Sequence, residues 1–173
     1  MKKGKAILFT GASLTGMGLE AIEMSENMPR DKAMFLSCGD INPELSIAMR
    51  FLESSLVSDW TERKYFNVES ENVDPHEYHY FVLDNISAYV DDYVYNDRNG
   101  EAFRIANKLI SAVVDLASFV TEEGADIIIL TSEQGRYFSD RSHEVLGKVN
   151  HVIGDFCDEV YLYVSGGRIK IKR

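Results

Sequence analysis

The chain has 173 residues, 45% of them hydrophobic and 27% charged, with a formal charge of −10. That composition fits one globular domain with one core, and disorder is not the default expectation. The negative charge gives no basic footprint for nucleic acid, although a helix N-terminus and backbone amides hold a phosphate whatever the net charge.

Met1-Lys2-Lys3 leads into a short apolar run, Ala6-Ile7-Leu8-Phe9, which is too brief for a signal peptide. No apolar stretch reaches the ~18 residues of a membrane span, so a cytoplasmic protein without a membrane span is expected. Cys38 and Cys157 are expected as buried thiols rather than as a disulfide framework.

Along the chain, strand and helix signals alternate. Lys5 to Thr10 reads as a short buried strand, followed by the glycine-bearing turn Gly11 to Gly18 and a helix to about Asn27. Ala33 to Cys38 reads as a strand, and Asn42-Pro43 opens a helix with apolar Leu45, Ala48, Met49 and Leu52. A third strand is expected at Tyr65 to Val68, then an acidic exposed connection from Glu69 to Glu77. Tyr78 to Leu83 is a strand ending in Asp84, with a helix from Ile86 to Tyr95 and a break at Asn96-Asp97-Arg98-Asn99-Gly100. Ala102 to Glu122 carries a long amphipathic period and stops before Gly124. Asp126 to Leu130, with three consecutive isoleucines, reads as a buried parallel strand. Ser139 to Phe156 is helical, and Glu159 to Val164 with Arg168 to Lys172 form a hairpin through Ser165-Gly166-Gly167. The pattern predicts one α/β domain over residues 1–173, with a mostly parallel sheet, helices on both faces and a C-terminal antiparallel hairpin.

Gly11-Ala12-Ser13-Leu14-Thr15-Gly16-Met17-Gly18 has the spacing of a phosphate-binding loop between a strand and a helix. These eight residues are the candidate cofactor-binding set. The full signature continues with lysine and then serine or threonine, so that an ammonium meets the β- and γ-phosphates and a hydroxyl holds Mg²⁺. Here those positions are Met17 and Gly18, which leaves only backbone amides to cradle a phosphate.

Read with that turn, the C-terminal stretch Asp158-Glu159-Val160-Tyr161-Leu162-Tyr163-Val164-Ser165-Gly166-Gly167 and Lys148-Val149-Asn150 before it resemble the adenosylcobinamide kinase / adenosylcobinamide-phosphate guanylyltransferase family of cobalamin biosynthesis. Thr10-Gly11 with Gly16 matches that family's loop. Phe81-Val82-Leu83-Asp84-Asn85 is similar to its strand ending in an acid, and Thr131-Ser132-Glu133-Gln134-Gly135 to its T-N-E-V-G segment. The resemblance implies a P-loop (RecA-like) fold and a homo-oligomer, with a trimer as its form. It also implies GTP or ATP with Mg²⁺ as cofactor and a corrinoid partner. Family members phosphorylate adenosylcobinamide and transfer GMP to it through a guanylylated histidine. This chain lacks the loop lysine and hydroxyl, and no histidine occurs in Pro43 to Leu56, where the acceptor belongs. The expectation is therefore a relative with degraded or lost kinase and guanylyltransferase activity. The alternative is an active nucleotide-dependent transferase on a cobinamide-like substrate with substituted catalytic residues.

Asp84, closing a buried strand, is a candidate catalytic residue and Mg²⁺ ligand acting through water, or else a helix cap. Glu133 is the second catalytic candidate, at the carboxyl edge where open α/β sheets bind ligands, with a solvated loop acid as its alternative. His76 and His79 read as surface loop residues and His143 and His151 as solvent or interface residues of one helix. Asp91-Asp92 among Tyr89, Tyr93 and Tyr95 reads as a charged helix end beside packed aromatics, with cation or corrinoid binding as its alternative, and Trp60 as a core anchor.

Overall fold

A computed structural model describes residues 3–12, 16–26, 33–38, 61–63, 73–97, 100–132 and 140–172. Its elements run β1 (Ala6–Gly11), α1 (Met17–Glu26), β2 (Ala33–Ser37), β3 (Thr61–Arg63), β4 (Tyr80–Asp84) and α2 (Ile86–Asn96), then α3 (Ala102–Glu122), β5 (Asp126–Leu130), α4 (Asp140–Phe156), β6 (Glu159–Val164) and β7 (Gly167–Lys172). Among the described residues these strands form one sheet in the order β3-β2-β4-β5-β1-β6-β7. Every neighbouring pair is parallel except β6 with β7.

β1 is buried at all six positions because it lies between β5 and β6 with both faces covered. That is why its sequence shows an unbroken apolar run instead of alternation. On one face Met17, Ala21 and Ile22 of α1 pack against Ile7, Phe9, Phe35, Val82 and Ile128. The Tyr80 hydroxyl donates to the Ala21 carbonyl at 3.0 Å, fastening that helix to β4. On the other face Val90 of α2, Leu109 and Val113 of α3, and Val149 and Ile153 of α4 pack against Leu8, Leu36, Leu83 and Ile129. Each such aliphatic side chain, fully buried, contributes about 1.5–3 kcal/mol. The sheet, the helices on both faces and the antiparallel hairpin agree with the sequence expectation of a P-loop (RecA-like) α/β fold.

The α2–α3 junction is set by one carboxylate. Asp97 accepts from the amides of Glu101 and Ala102, each at 2.8 Å, and from Arg141 Nη2 of α4 at 2.8 Å. The first two bonds satisfy donors that a helix start leaves without intrahelical partners, and the third anchors the next helix to the same point. The hairpin turns through Ser165 at φ 49° and Gly166 at φ 80°, both left-handed as a two-residue type I′ turn requires.

The edge strand β3 is a departure from expectation. Its Thr61-Glu62-Arg63 has no apolar alternation, and among the described residues it pairs with β2. Asp91 is a second departure: it is 1% exposed in the interior of α2, while Asp92 beside it is exposed. His76, His79, His143 and His151 are all exposed, and Cys38 and Cys157 are buried free thiols. Burial pushes the Cys157 thiol up to about 12. The expected helix after Asn42-Pro43, the strand at Tyr65 to Val68 and Trp60 lie outside the described residues. Among the described residues no helix is long and apolar enough to cross a membrane.

Candidate functional site

The carboxyl ends of the parallel strands share one edge of the sheet, and the turn between β1 and α1 lies on that edge. Gly11 is the last residue of β1 rather than the first of a free loop, and it pairs with Tyr163 of β6. Its φ is 151°, and a Cβ there would stand 2.3 Å from the Tyr163 carbonyl oxygen. Glycine is required at this position by the close approach of β6 as well as by the turn. Gly16, at φ 95°, redirects the backbone into the helix, and its carbonyl accepts the first bond of α1 from Glu20 N at 3.0 Å. Ala12 is exposed and Gly18 buried, while Ser13, Leu14 and Thr15 lie outside the described residues.

Met17 stands where a catalytic loop carries its lysine. It is 2% exposed, a member of the apolar cluster that joins α1 to the sheet. Among the loop's neighbouring cations, Lys5 lies at the amino end of β1 and bridges Glu159 at 2.7 Å, at the far end of the strand from the turn.

Asp84 ends β4 and is 1% exposed. Tyr80 and Val82 belong to the α1-side cluster, so the alternation of a strand places Asp84 on the α1 face as well. β5 lies between β4 and β1, which sets Asp84 about 10 Å laterally from the loop strand. The Asp84 carbonyl accepts from Cys38 N at 2.9 Å, and burial followed by the nearby Asp84 charge holds the Cys38 thiol well above its ordinary range. The N-cap of α2 is Asn85, in a left-handed conformation at φ 70° with its side chain accepting from Ala88 N at 3.2 Å. Glu133, the other acid expected at this edge, lies outside the described residues.

Beside the loop, on the face of α2 and α4, runs a polar chain to which the sequence reading assigned no role. Thr131 Oγ1 donates to Asn150 Oδ1 at 2.8 Å, and Asn150 Nδ2 donates to the Ser132 carbonyl at 3.2 Å. Ser132 N donates to Ser87 Oγ at 3.3 Å, and Ser87 Oγ to Asn85 Oδ1 at 3.0 Å. Thr10, 6% exposed one residue before the end of β1, has a buried Oγ1 with no hydrogen-bond partner among the described residues. The available signal was a hydroxyl residue closing each of two apolar strands, Thr10 after Phe9 and Thr131 after Leu130.

On the α1 face, the hairpin adds charge. Glu20, in the first turn of α1, accepts from the Tyr163 hydroxyl at 2.7 Å and is ion-paired with Arg168 of β7. The Arg168 guanidinium lies 5.1 Å over the Tyr161 ring. Burial raises the Tyr163 hydroxyl well above its ordinary range, so it stays a donor. Among the described residues no group of three or more His, Cys, Asp or Glu side chains is placed to hold a metal ion.

No protein-family model matches the sequence, and no curated protein matches it. Among solved structures the chain is similar to the RadB recombinase, with a TM-score of 0.54 and 12% identity over 93% of this chain and 74% of that one. At that identity the likeness speaks for the fold alone, a RecA-like P-loop α/β sheet.

Proposed function

We propose that this single-domain chain binds nucleoside phosphates through the backbone of residues 11–18 without transferring their phosphoryl groups. The observation that carries the reading is Met17, 2% exposed in the apolar cluster where a loop lysine would have to reach solvent and phosphate. The positive φ of Gly16 and the amides that open α1 fit a phosphate, because a helix N-terminus presents donors and a positive dipole end. A tightly held Mg²⁺ fits less well. Gly18 has no hydroxyl, and the candidate carboxylate, Asp84, lies two strands from β1. Losing one preorganised donor commonly costs ~10²–10³ in rate, and here lysine, hydroxyl and acceptor histidine are missing together.

The C-terminal Asp158 to Gly167 segment and the Thr131 to Gly135 segment support descent from the adenosylcobinamide kinase / guanylyltransferase family. On that reading a corrinoid is the second ligand and three copies assemble in the cytoplasm. The test is calorimetric titration with GTP and ATP, each with and without Mg²⁺, followed by an assay for phosphoryl transfer to adenosylcobinamide. Saturable binding with little dependence on Mg²⁺ and no transfer is expected. Mg²⁺-dependent transfer would establish the active-transferase reading instead, and the absence of any binding heat would remove the nucleotide site.

A further inference from the structure

A phosphate held by amides alone keeps its charge uncompensated, and Met17 offers none. Among the described residues Arg168 is a cation at the loop's own edge of the sheet. Gly11 pairs with Tyr163 across β1 and β6, and Tyr163 pairs with Arg168 across β6 and β7. Arg168 is thus two strands from the first loop glycine, about 10 Å. Residues opposed in a ladder project to the same face, and Tyr163 belongs to the α1-side cluster, so Arg168 projects toward α1. Its guanidinium meets the Glu20 carboxylate in the first turn of that helix. Helical side chains lean toward their own N-terminus, so the Glu20–Arg168 pair lies toward the end of α1 that opens on the loop.

We propose that Arg168 is the cation of this phosphate site and that Glu20 is its resident anion. Glu20 receives Arg168 on one carboxylate oxygen and the Tyr163 hydroxyl on the other. A terminal phosphate presents the same pair of acceptors with more charge, in the planar match that a guanidinium makes with carboxylate or phosphate. Nucleoside di- and triphosphates are the class that spans from the helix amides to Arg168; a monophosphate engages the amides alone. Stacking on Tyr161 holds the guanidinium in place for the exchange. The inference rests on the nucleotide reading above, and its test separates the two.

GTP, GDP and GMP are titrated into the wild type, Arg168→Gln, Arg168→Lys and Glu20→Gln, with Lys170→Gln as a control on the same strand and thermal melts to check folding. Arg168→Gln is expected to weaken GTP and GDP tenfold or more but GMP less than threefold, with partial recovery in Arg168→Lys. Glu20→Gln is expected to tighten GTP severalfold, and Lys170→Gln to leave it unchanged. Wild-type binding that Arg168→Gln leaves intact overturns the role of Arg168 and keeps the nucleotide site. Equal weakening of GTP and GMP shows a structural tie only and overturns it too. If Arg168→Gln does not fold, Glu20→Gln decides: GTP binding no tighter than wild type overturns the inference. Failure of both the wild type and Glu20→Gln to bind any of the three nucleotides overturns both readings.

Discussion

Met17 answers two demands at once, a motif position and a place in the core. Met17, Ala21 and Met24 recur at helical spacing on α1, and the first two are buried against the sheet. A volume-conserving Met17→Leu is expected to lower the unfolding free energy by less than about 1.5 kcal/mol. Met17→Lys, which restores the missing motif residue, is expected to cost more than about 2 kcal/mol, because an ammonium enters an apolar cluster. Urea denaturation of the two variants checks the order; a lysine variant as stable as wild type would mean the side chain escapes to the loop. The sequence made the loss of the lysine visible, because spacing alone identifies the position. It did not show that the replacement is sealed into the core, since burial at the first turn of a helix depends on how closely that helix lies on the sheet.

At the scale of elements, the loop strand and the hairpin are interlocked where Gly11 passes Tyr163. Gly11→Ala is expected to destabilise the fold by roughly 2–4 kcal/mol, since it meets both a positive φ and a carbonyl 2.3 Å away. Chemical denaturation measures it, and a cost below about 1 kcal/mol would mean that β6 yields locally. The same interlock explains what reading by pattern delivers and what it misses. Strongly periodic or unbroken apolar segments were legible, and α3 matches its expected span of Ala102 to Glu122 residue for residue. β3 was not, because Thr61-Glu62-Arg63 gains its strand conformation from pairing with β2 and from nothing in its own composition. In the sequence Asp91 reads as part of a charged helix end because its neighbours are acidic and aromatic; its burial follows from the α2 face that meets the core, with Ile86, Val90 and Val94 on that face. At the candidate site, single residues such as Asp84 were legible as strand-ending acids. Their company was not: the Thr131–Asn150–Ser132–Ser87 chain joins residues 45 and 18 positions apart, and no local window spans that distance.

Over the whole molecule acidic groups outnumber basic ones, 28 against 18, and one carboxylate gathers two of the cations. Glu159 accepts from Lys170 and Lys5, each at 2.7 Å, and from the Tyr161 hydroxyl at 2.7 Å. Hydrogen bonds from Lys170, then Lys5, then Tyr161 hold its carboxyl down at about 2. An unfolded glutamate titrates near ~4.3, so the folded chain binds fewer protons between those values and the unfolding free energy rises with pH there. The stabilisation from Glu159 is complete above ~4.3 and is lost as pH falls through about 2. Glu159→Gln is therefore expected to give a shallower dependence of stability on pH across that interval, measured by denaturant melts at stepped pH. An unchanged slope would show that the two lysines leave the carboxylate unperturbed in solution.

The position of β1 in the middle of the sheet also has a consequence in time. Its neighbours begin 121 and 152 residues downstream, as the Lys5–Asp126 and Ala6–Asp158 bonds measure. A ribosome adding roughly 5–20 residues each second takes on the order of 6–24 s to cover the shorter distance, before which neither neighbour exists. For that interval Ala6 to Gly11, the first of the described strands to be made, has neither of its described partner strands to join. The first of the described strands to be made is among the last completed, and the nascent chain carries a bare apolar segment until β5 emerges.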